Sequence, residues 1–221
     1  MKETCLVTGV AGFIGSHLAE RLIKDGFDVI GIDSFEDYYP RWMKENNIKE
    51  LLTAEKFRFI EDNLLYVNLP KILKDVNYIF HMAAQAGVRS SWGDSFSIYT
   101  NNNILATQRL LEAVKDIPIK KFINASSSSV YGDAKEFPLR EDMIVKPISP
   151  YGVSKLAAEN LCFLYWKNYG VPTVSLRYFT VYGPRQRPDM AFHKFIKAIL
   201  ESKEIEVYGD GNQTRDFTYI S

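Results

Sequence analysis

Tyr151 and Lys155 stand four residues apart in the segment PYGVSK. In a helix that spacing puts a phenol and an ammonium on one face, one turn apart. A cation beside a phenol lowers its pKa from about 10 toward neutrality, which makes Tyr151 a usable general base. Upstream, FINA runs into Ser126, Ser127, Ser128 and Ser129. Hydroxyls at the carboxyl end of a parallel strand lie where ligands bind in open α/β sheets. One of them would orient the oxygen whose proton Tyr151 takes.

A second constellation opens the chain. LVTGVAGFIGSHLAERL places Gly9, Gly12 and Gly15 between an apolar strand pattern and a helical one. Glycine in such a turn removes the Cβ that would fend off a pyrophosphate, lets the turn close and lets helix approach sheet. The helix beginning at Phe13 and Ile14 then offers its first N–H groups and its positive dipole end to phosphates. The spacing is GxxGxxG rather than GxGxxG, and Asp33 in GIDSF compensates for that departure. A carboxylate ending the second strand accepts hydrogen bonds from an adenosine ribose and repels a 2′-phosphate, so NAD is expected rather than NADP. A nicotinium charge bound here would add to Lys155 in lowering the Tyr151 pKa. The stretch 62–65, with Asn63 and Leu64, reads either as a contact to the adenine edge or as an ordinary loop. After His81, the small residues Ala83 and Ala84 fit either backbone passing near the cofactor or the end of a core strand.

The elements that must position these groups follow a βαβα order, which predicts an α/β fold with a doubly wound parallel sheet of Rossmann type. Strands are expected at 5–7, 29–32, 57–60, 78–81, 121–125 and 173–178, and helices at 13–25, 41–53, 97–115 and 151–168. The loop 131–150, with three prolines, is expected on the surface near the site. Beyond Gly183 the composition changes. A helix at 191–200, a strand at 204–208 and the turn Gly209-Asp210-Gly211 look like the start of a smaller lobe. The chain is thus divided into residues 1–182, which bind NAD and carry the catalytic groups, and residues 183–221, an incomplete substrate lobe.

Length and charge set bounds. The 221 residues suffice for one full-sized core, and 27 basic against 27 acidic side chains leave no stripe for nucleic acid or an anionic membrane. Cys5 and Cys162 read as small hydrophobes in a reducing compartment rather than as a disulfide. With His17, His81 and His193 widely spaced, no metal site is expected. The absence of a signal-peptide pattern and of a long apolar run predicts a cytoplasmic protein without a membrane partner.

Six motifs, TGVAGFIGSHL, HMAAQAGVRSS, ASSSSVYG, PYGVSK, LRYFTVYGPRQRPDM and YGDGNQTRDFTYIS, together resemble the extended short-chain dehydrogenase/reductases of the NAD-dependent sugar-nucleotide epimerase/dehydratase family, closest to UDP-glucuronate 4-epimerases. The resemblance runs from residue 3 to residue 221. It implies catalytic roles for Ser127, Tyr151 and Lys155, with Ser128 a second donor to the sugar. It places Asn63, Asn103, Tyr151, Lys155 and Tyr178 with the cofactor-binding residues, although Ala106 stands where the asparagine motif has glycine. Arg215 and Arg185 are implied to meet the nucleotide phosphates, and Arg89 and Thr180 the glucuronate carboxylate.

The implied reaction is C4 epimerisation of a UDP-sugar, UDP-glucuronate to UDP-galacturonate. Tyr151 removes the C4 hydroxyl proton while hydride passes to NAD, and the hydride returns to the other face of a 4-keto sugar. Ser128 and Ser129 stand where related dehydratases carry acidic residues, which argues against loss of water. The alternatives are a 4-epimerase or dehydratase for another nucleotide sugar, or a truncated NAD-binding protein without turnover. Members of the group continue past the position of Ser221, so weak or absent turnover is expected of this chain. Surplus apolar surface on 151–168, together with 97–115, predicts a homodimer through a four-helix arrangement.

Overall fold

In the computed structural model of the chain, all residues except Met1, Lys2, Tyr208 and Gln213 are described. The elements run β1 (Thr4–Thr8), α1 (Phe13–Lys24), β2 (Asp28–Asp33), α2 (Arg41–Ile48), β3 (Phe57–Glu61), α3 (Leu69–Leu73), β4 (Tyr78–His81) and α4 (Phe96–Tyr99). After a π-helical turn at Thr100–Leu105 come α5 (Ala106–Val114), β5 (Lys121–Ser127), α6 (Pro150–Tyr169), β6 (Thr173–Tyr178), β7 (Thr180–Tyr182), α7 (Ala191–Leu200) and β8 (Phe217–Tyr219). β1 to β6 form a parallel sheet in the order β3-β2-β1-β4-β5-β6. This is a Rossmann-type doubly wound sheet whose strand order reverses between β1 and β4, and that reversal opens a crevice at the carboxyl ends of the strands.

Strand alternation divides the apolar residues between two cores. Cys5 and Val7 of β1 pack with Val10, Ala19, Leu22 and Ile48 on one face, whereas Leu6 packs with Leu110, Leu111, Phe122 and Cys162 on the other. On α1 the buried positions Phe13, Gly15, Ser16, Ala19 and Leu22 recur at helical spacing. A Cβ on Gly15 would lie 2.2 Å from the Gly9 carbonyl oxygen, so only glycine permits this approach of helix to turn. Ser149 caps α6 by accepting from the Gly152 N–H at 3.1 Å, Pro150 opens the helix, and Gly170 in the left-handed region closes it.

Four expectations are corrected. The helical segment 41–53 breaks after Ile48 and resumes as a single 3₁₀ turn at Leu51–Thr53, and the segment 97–115 contains the π-helical turn. Residues 204–207 form no strand, and Tyr208 lies outside the described residues. The second sheet instead pairs β7 with β8 in parallel, Thr180 opposite Phe217, so it begins before Gly183. Without a long alternating apolar run, three-residue strands such as these leave little trace in the sequence. Cys5 and Cys162 are both free and buried, and burial pushes each thiol up to about 12. Among the described residues no helix is long and apolar enough to cross a membrane.

Candidate active site

A cleft of about 1450 Å³ follows the carboxyl edge of the large sheet. At one end lie Gly9, Gly12, Phe13, Ile14, Gly15, Asp33, Asn63, Leu64, Ala83 and Ala84, all of them lining it. Gly9 adopts φ +67°, and a Cβ there would stand 2.7 Å from the Cα of Ala83. Gly12 caps α1 with no side-chain hydrogen bond, which leaves the first-turn N–H groups for an anion. Asp33 accepts from Ala11 N–H at 3.0 Å and from Phe35 N–H at 2.9 Å, one bond to each oxygen, and keeps further lone pairs for a ligand. Burial pushes its carboxyl above the usual range, against these two donors and the nearby Lys44 ammonium. Asn63 is fixed by donating to Glu36 at 2.9 Å and accepting from Leu65 N–H at 2.9 Å.

His81 is a buried strand-end residue, and its partners settle its tautomer. Thr107 Oγ1 donates to the Asn103 carbonyl at 2.7 Å, so it accepts from His81 Nε2–H at 2.9 Å. The Nδ1 atom therefore accepts from Thr8 Oγ1 at 2.8 Å, and Thr8 in turn accepts from Ala83 N–H at 3.1 Å. Burial, reinforced by the charge of Lys155, holds the imidazole neutral with a pKa of about 3. This chain of bonds pins the backbone at Ala83 to the wall of the cleft.

At the other end, Ser127, Ser128, Ser129, Tyr151, Lys155, Tyr178, Thr180 and Arg215 line the same cleft. Ser126 turns away from its neighbours' role by donating to Glu159, which also pairs with Arg177 at 2.9 Å. Ser127 accepts from Ser129 N–H at 3.1 Å. The relation of Tyr151 to Lys155 differs from the expectation. The Lys155 ammonium donates to the Ala125 carbonyl at 2.8 Å and lies 6.0 Å from the centre of the Tyr151 ring. Burial pushes the phenol above its ordinary value, while Ser127 and the charge of Arg187 draw it back. Burial also lowers the lysine to about 8. At this distance a buried ammonium already bonded to a carbonyl does not overcome the burial of the phenol.

Three residues are not where the sequence reading put them. Asn103 does not line the cleft. Its side chain is spent on the backbone of Gln85, at 2.7 and 3.0 Å, and on Ser154 at 2.9 Å, tying the π-helical turn to α6. Arg89 is exposed on a 3₁₀ turn outside the lining. Arg185 sits at φ +66°, and that turn of the backbone sends its guanidinium back to α1, where it meets Ser16 at 3.3 Å and Glu20 at 2.7 Å.

Besides Arg215, the cleft is lined by Arg187, which pairs with Asp189 through Nε and Nη2 at 2.9 and 3.0 Å. The sequence signal for it was the Arg-Pro-Asp triplet itself, an opposite-charge pair two residues apart around a proline.

The family model described as the NAD dependent epimerase/dehydratase family matches residues 5–221. An uncharacterised UDP-glucose epimerase of Bacillus subtilis is 54% identical over 217 residues, covering 98% of this chain and 68% of its own length. A UDP-glucuronate 4-epimerase of Thermodesulfobacterium geofontis is 43% identical over 219 residues, covering 97% and 67% respectively. A crystal structure of UDP-glucuronic acid 4-epimerase from Bacillus cereus, in complex with UDP-glucuronic acid and NAD, superposes with a TM-score of 0.96 at 53% identity, over 98% of this chain and 69% of that one. The chain thus spans about two thirds of the length of these relatives.

Proposed function

This chain belongs to the NAD dependent epimerase/dehydratase family, and from that premise we propose that it is an NAD-dependent C4 epimerase interconverting UDP-glucuronate and UDP-galacturonate. The observation that carries the reading is one cleft lined at one end by the glycine turn and Asp33 and at the other by Ser127, Tyr151 and Arg187.

NAD fits the first end, where the glycines let the turn close against Ala83 and the helix approach the turn, and where Asp33 keeps lone pairs for a ribose. Phe13 and Ile14 offer N–H groups to its pyrophosphate, and Asn63, Leu64, Ala83 and Ala84 wall it in. When bound, its nicotinamide takes hydride from C4 of the sugar and gives it back. The work of the protein is proton transfer and orientation. The Tyr151 phenol oxygen takes the C4 hydroxyl proton as C4 is oxidised and returns it when the 4-keto sugar is reduced on its other face. Ser127 holds the same sugar oxygen, with Ser128 beside it. Lys155, bonded to Ala125, stands behind the phenol. Its charge and that of the oxidised ring offset the burial that otherwise keeps Tyr151 protonated. Arg187, with Thr180, meets the sugar carboxylate in place of Arg89, and Arg215 meets the diphosphate.

A second reading, 4-epimerisation of a neutral UDP-sugar, is favoured by the name of the Bacillus subtilis relative. Incubating the protein with a panel of UDP-sugars and separating the C4 epimers decides between them. Conversion of UDP-glucuronate without added reductant supports the main reading, and conversion of neutral sugars alone replaces it.

A homodimer through α5 and α6 is part of the proposal. These helices pack together, and with Leu105 of the π-helical turn before α5 the exposed Val153, Phe163, Leu164 and Trp166 of α6 form an apolar surface beyond what the sheet requires. Light scattering at micromolar concentration tests it, and a monomeric mass counts against it.

A further inference from the structure

The ion pair of Arg187 and Asp189 comes from the irregular segment between β7 and α7, where no secondary structure fixes its position. A side chain from the opposite wall does so. The Tyr38 hydroxyl, five residues past the end of β2, donates to Asp189 Oδ2 at 3.0 Å, the oxygen that also accepts from Arg187 Nη2. The guanidinium carbon lies 5.7 Å from the centre of the Tyr38 ring. Asp189 therefore holds two of the three guanidinium nitrogens and is itself held by Tyr38. Nη1 of Arg187 has no hydrogen-bond partner among the described residues. Tyr38, Asp189, Arg187 and Tyr151 all line the one cleft.

We propose that Tyr38 and Asp189 are positioning residues, which hold the Arg187 guanidinium in place in the cleft that Tyr151 also lines. The proposal rests on Tyr151 being the base of the proposed reaction. It adds a physical link from the loop that follows Asp33, at the dinucleotide end, to the chemistry at the other end.

The charges around each group agree with this reading. Burial and the Asp189 carboxylate push Tyr38 up to about 12, so it remains a donor at any working pH. Arg187 pulls Asp189 below the usual carboxylate range despite burial, and Asp189 keeps Arg187 cationic against the same burial. Facing Tyr151 are Ser127 and Arg187, which favour its ionised form. Tyr99 meets its ring edge to face at 6.2 Å and disfavours that form, and Lys155 is engaged with Ala125. Facing Arg187 are Asp189, Tyr38, Tyr39 and Tyr151. Releasing the guanidinium removes a cation from the phenol, and the Tyr151 pKa must rise.

The test is an ultraviolet titration of phenolate in the NAD-bound protein, with each variant compared to the same variant carrying Tyr151→Phe, so that the difference reports Tyr151 alone. Tyr38→Phe, which loosens the pair without changing its charge, is expected to move its midpoint upward by about half to one pH unit, about a three- to tenfold loss of phenolate below the midpoint. Arg187→Met should move it at least as far, and adding Tyr38→Phe to Arg187→Met should move it no further. The acidic limb of kcat/KM should shift in the same sense, with NAD affinity unchanged. A Tyr38→Phe protein whose Tyr151 titrates as in the wild type overturns the proposal, as does an undiminished shift on the Arg187→Met background. Should Tyr38→Phe fail to fold, Tyr38→Leu, which removes the same hydroxyl without changing charge, carries the same decision. Because the titration needs no sugar, its outcome does not depend on whether this chain turns over a UDP-sugar, and the failure of this proposal is read separately from that of the epimerase reading.

Discussion

The Lys155 ammonium donates to the main-chain oxygen of Ala125 at 2.8 Å, one residue before the serine run begins. The lysine is thereby fixed at the end of β5, behind the phenol rather than in contact with its oxygen. Among the described residues Tyr151 is the one phenol that both faces Ser127 and feels Arg187 in the cleft.

Replacing Tyr151 with phenylalanine keeps the ring that packs edge to face on Tyr99 and removes the atom that moves the proton. In a chain carrying the rest of the substrate lobe, turnover of UDP-glucuronate is expected to fall by about 10²- to 10⁴-fold, the usual worth of an acid–base group. NAD affinity, measured by calorimetry, should stay within about twofold, since the cofactor is proposed to be held mainly by the glycine turn and Asp33. Retention of more than about a tenth of wild-type turnover would remove Tyr151 from its role.

Arg187→Leu tests which sugar the cleft is built for. A charge-assisted pair contributes about 1.5–3 kcal/mol, so KM for UDP-glucuronate should rise by about 10- to 100-fold. A neutral UDP-sugar should lose far less. Equal losses for charged and neutral sugars would show that Arg187 does not meet the carboxylate.

The main features of the fold were legible because they repeat. Six apolar strands, long helices at three- and four-residue spacing and a glycine turn ending in Asp33 each carry a periodic or positional signal. Single side-chain directions carry none. Arg185 and Arg187 are two residues apart and chemically identical. A left-handed backbone at Arg185 sends one to α1 and leaves the other in the cleft. Asn103 was expected at the cofactor because its position in a helix pattern was visible, whereas the π-helical turn that carries it to Gln85 was not. The balance of burial against neighbouring charge at Tyr151 depends on what surrounds it in three dimensions, which the four-residue spacing to Lys155 does not convey.

Asp33 is expected to select NAD over NADP by repelling a 2′-phosphate. Asp33→Ala should narrow the ratio of the two dissociation constants in calorimetry. The same change strips an acceptor from Ala11 N–H and Phe35 N–H. A loss of stability of about 1–3 kcal/mol for each unsatisfied donor should therefore accompany it, read separately by urea denaturation. Comparable wild-type affinities for NAD and NADP would show that the carboxylate does not discriminate.

Acid should weaken the fold through His81. In the folded protein its pKa is about 3, because its ring is buried between Thr8 and Thr107 and faces the charge of Lys155. In the unfolded chain it returns to about 6.5. Between these values the unfolded chain binds a proton that the folded protein refuses, so stability falls as pH drops through the window and is level above it. The slope contributed by one such group is at most about 1.4 kcal/mol per pH unit, which amounts to about 2–3 kcal/mol between pH 6.5 and 4.5. Urea denaturation across that range reads it directly. His81→Gln lowers stability at every pH, since glutamine cannot reproduce both ring contacts, but glutamine does not titrate, and the slope should lessen by about one proton's worth. Parallel curves for the two proteins would mean that His81 takes up its proton without unfolding, and that the neutral tautomer shared with Thr8 and Thr107 is not what the fold requires.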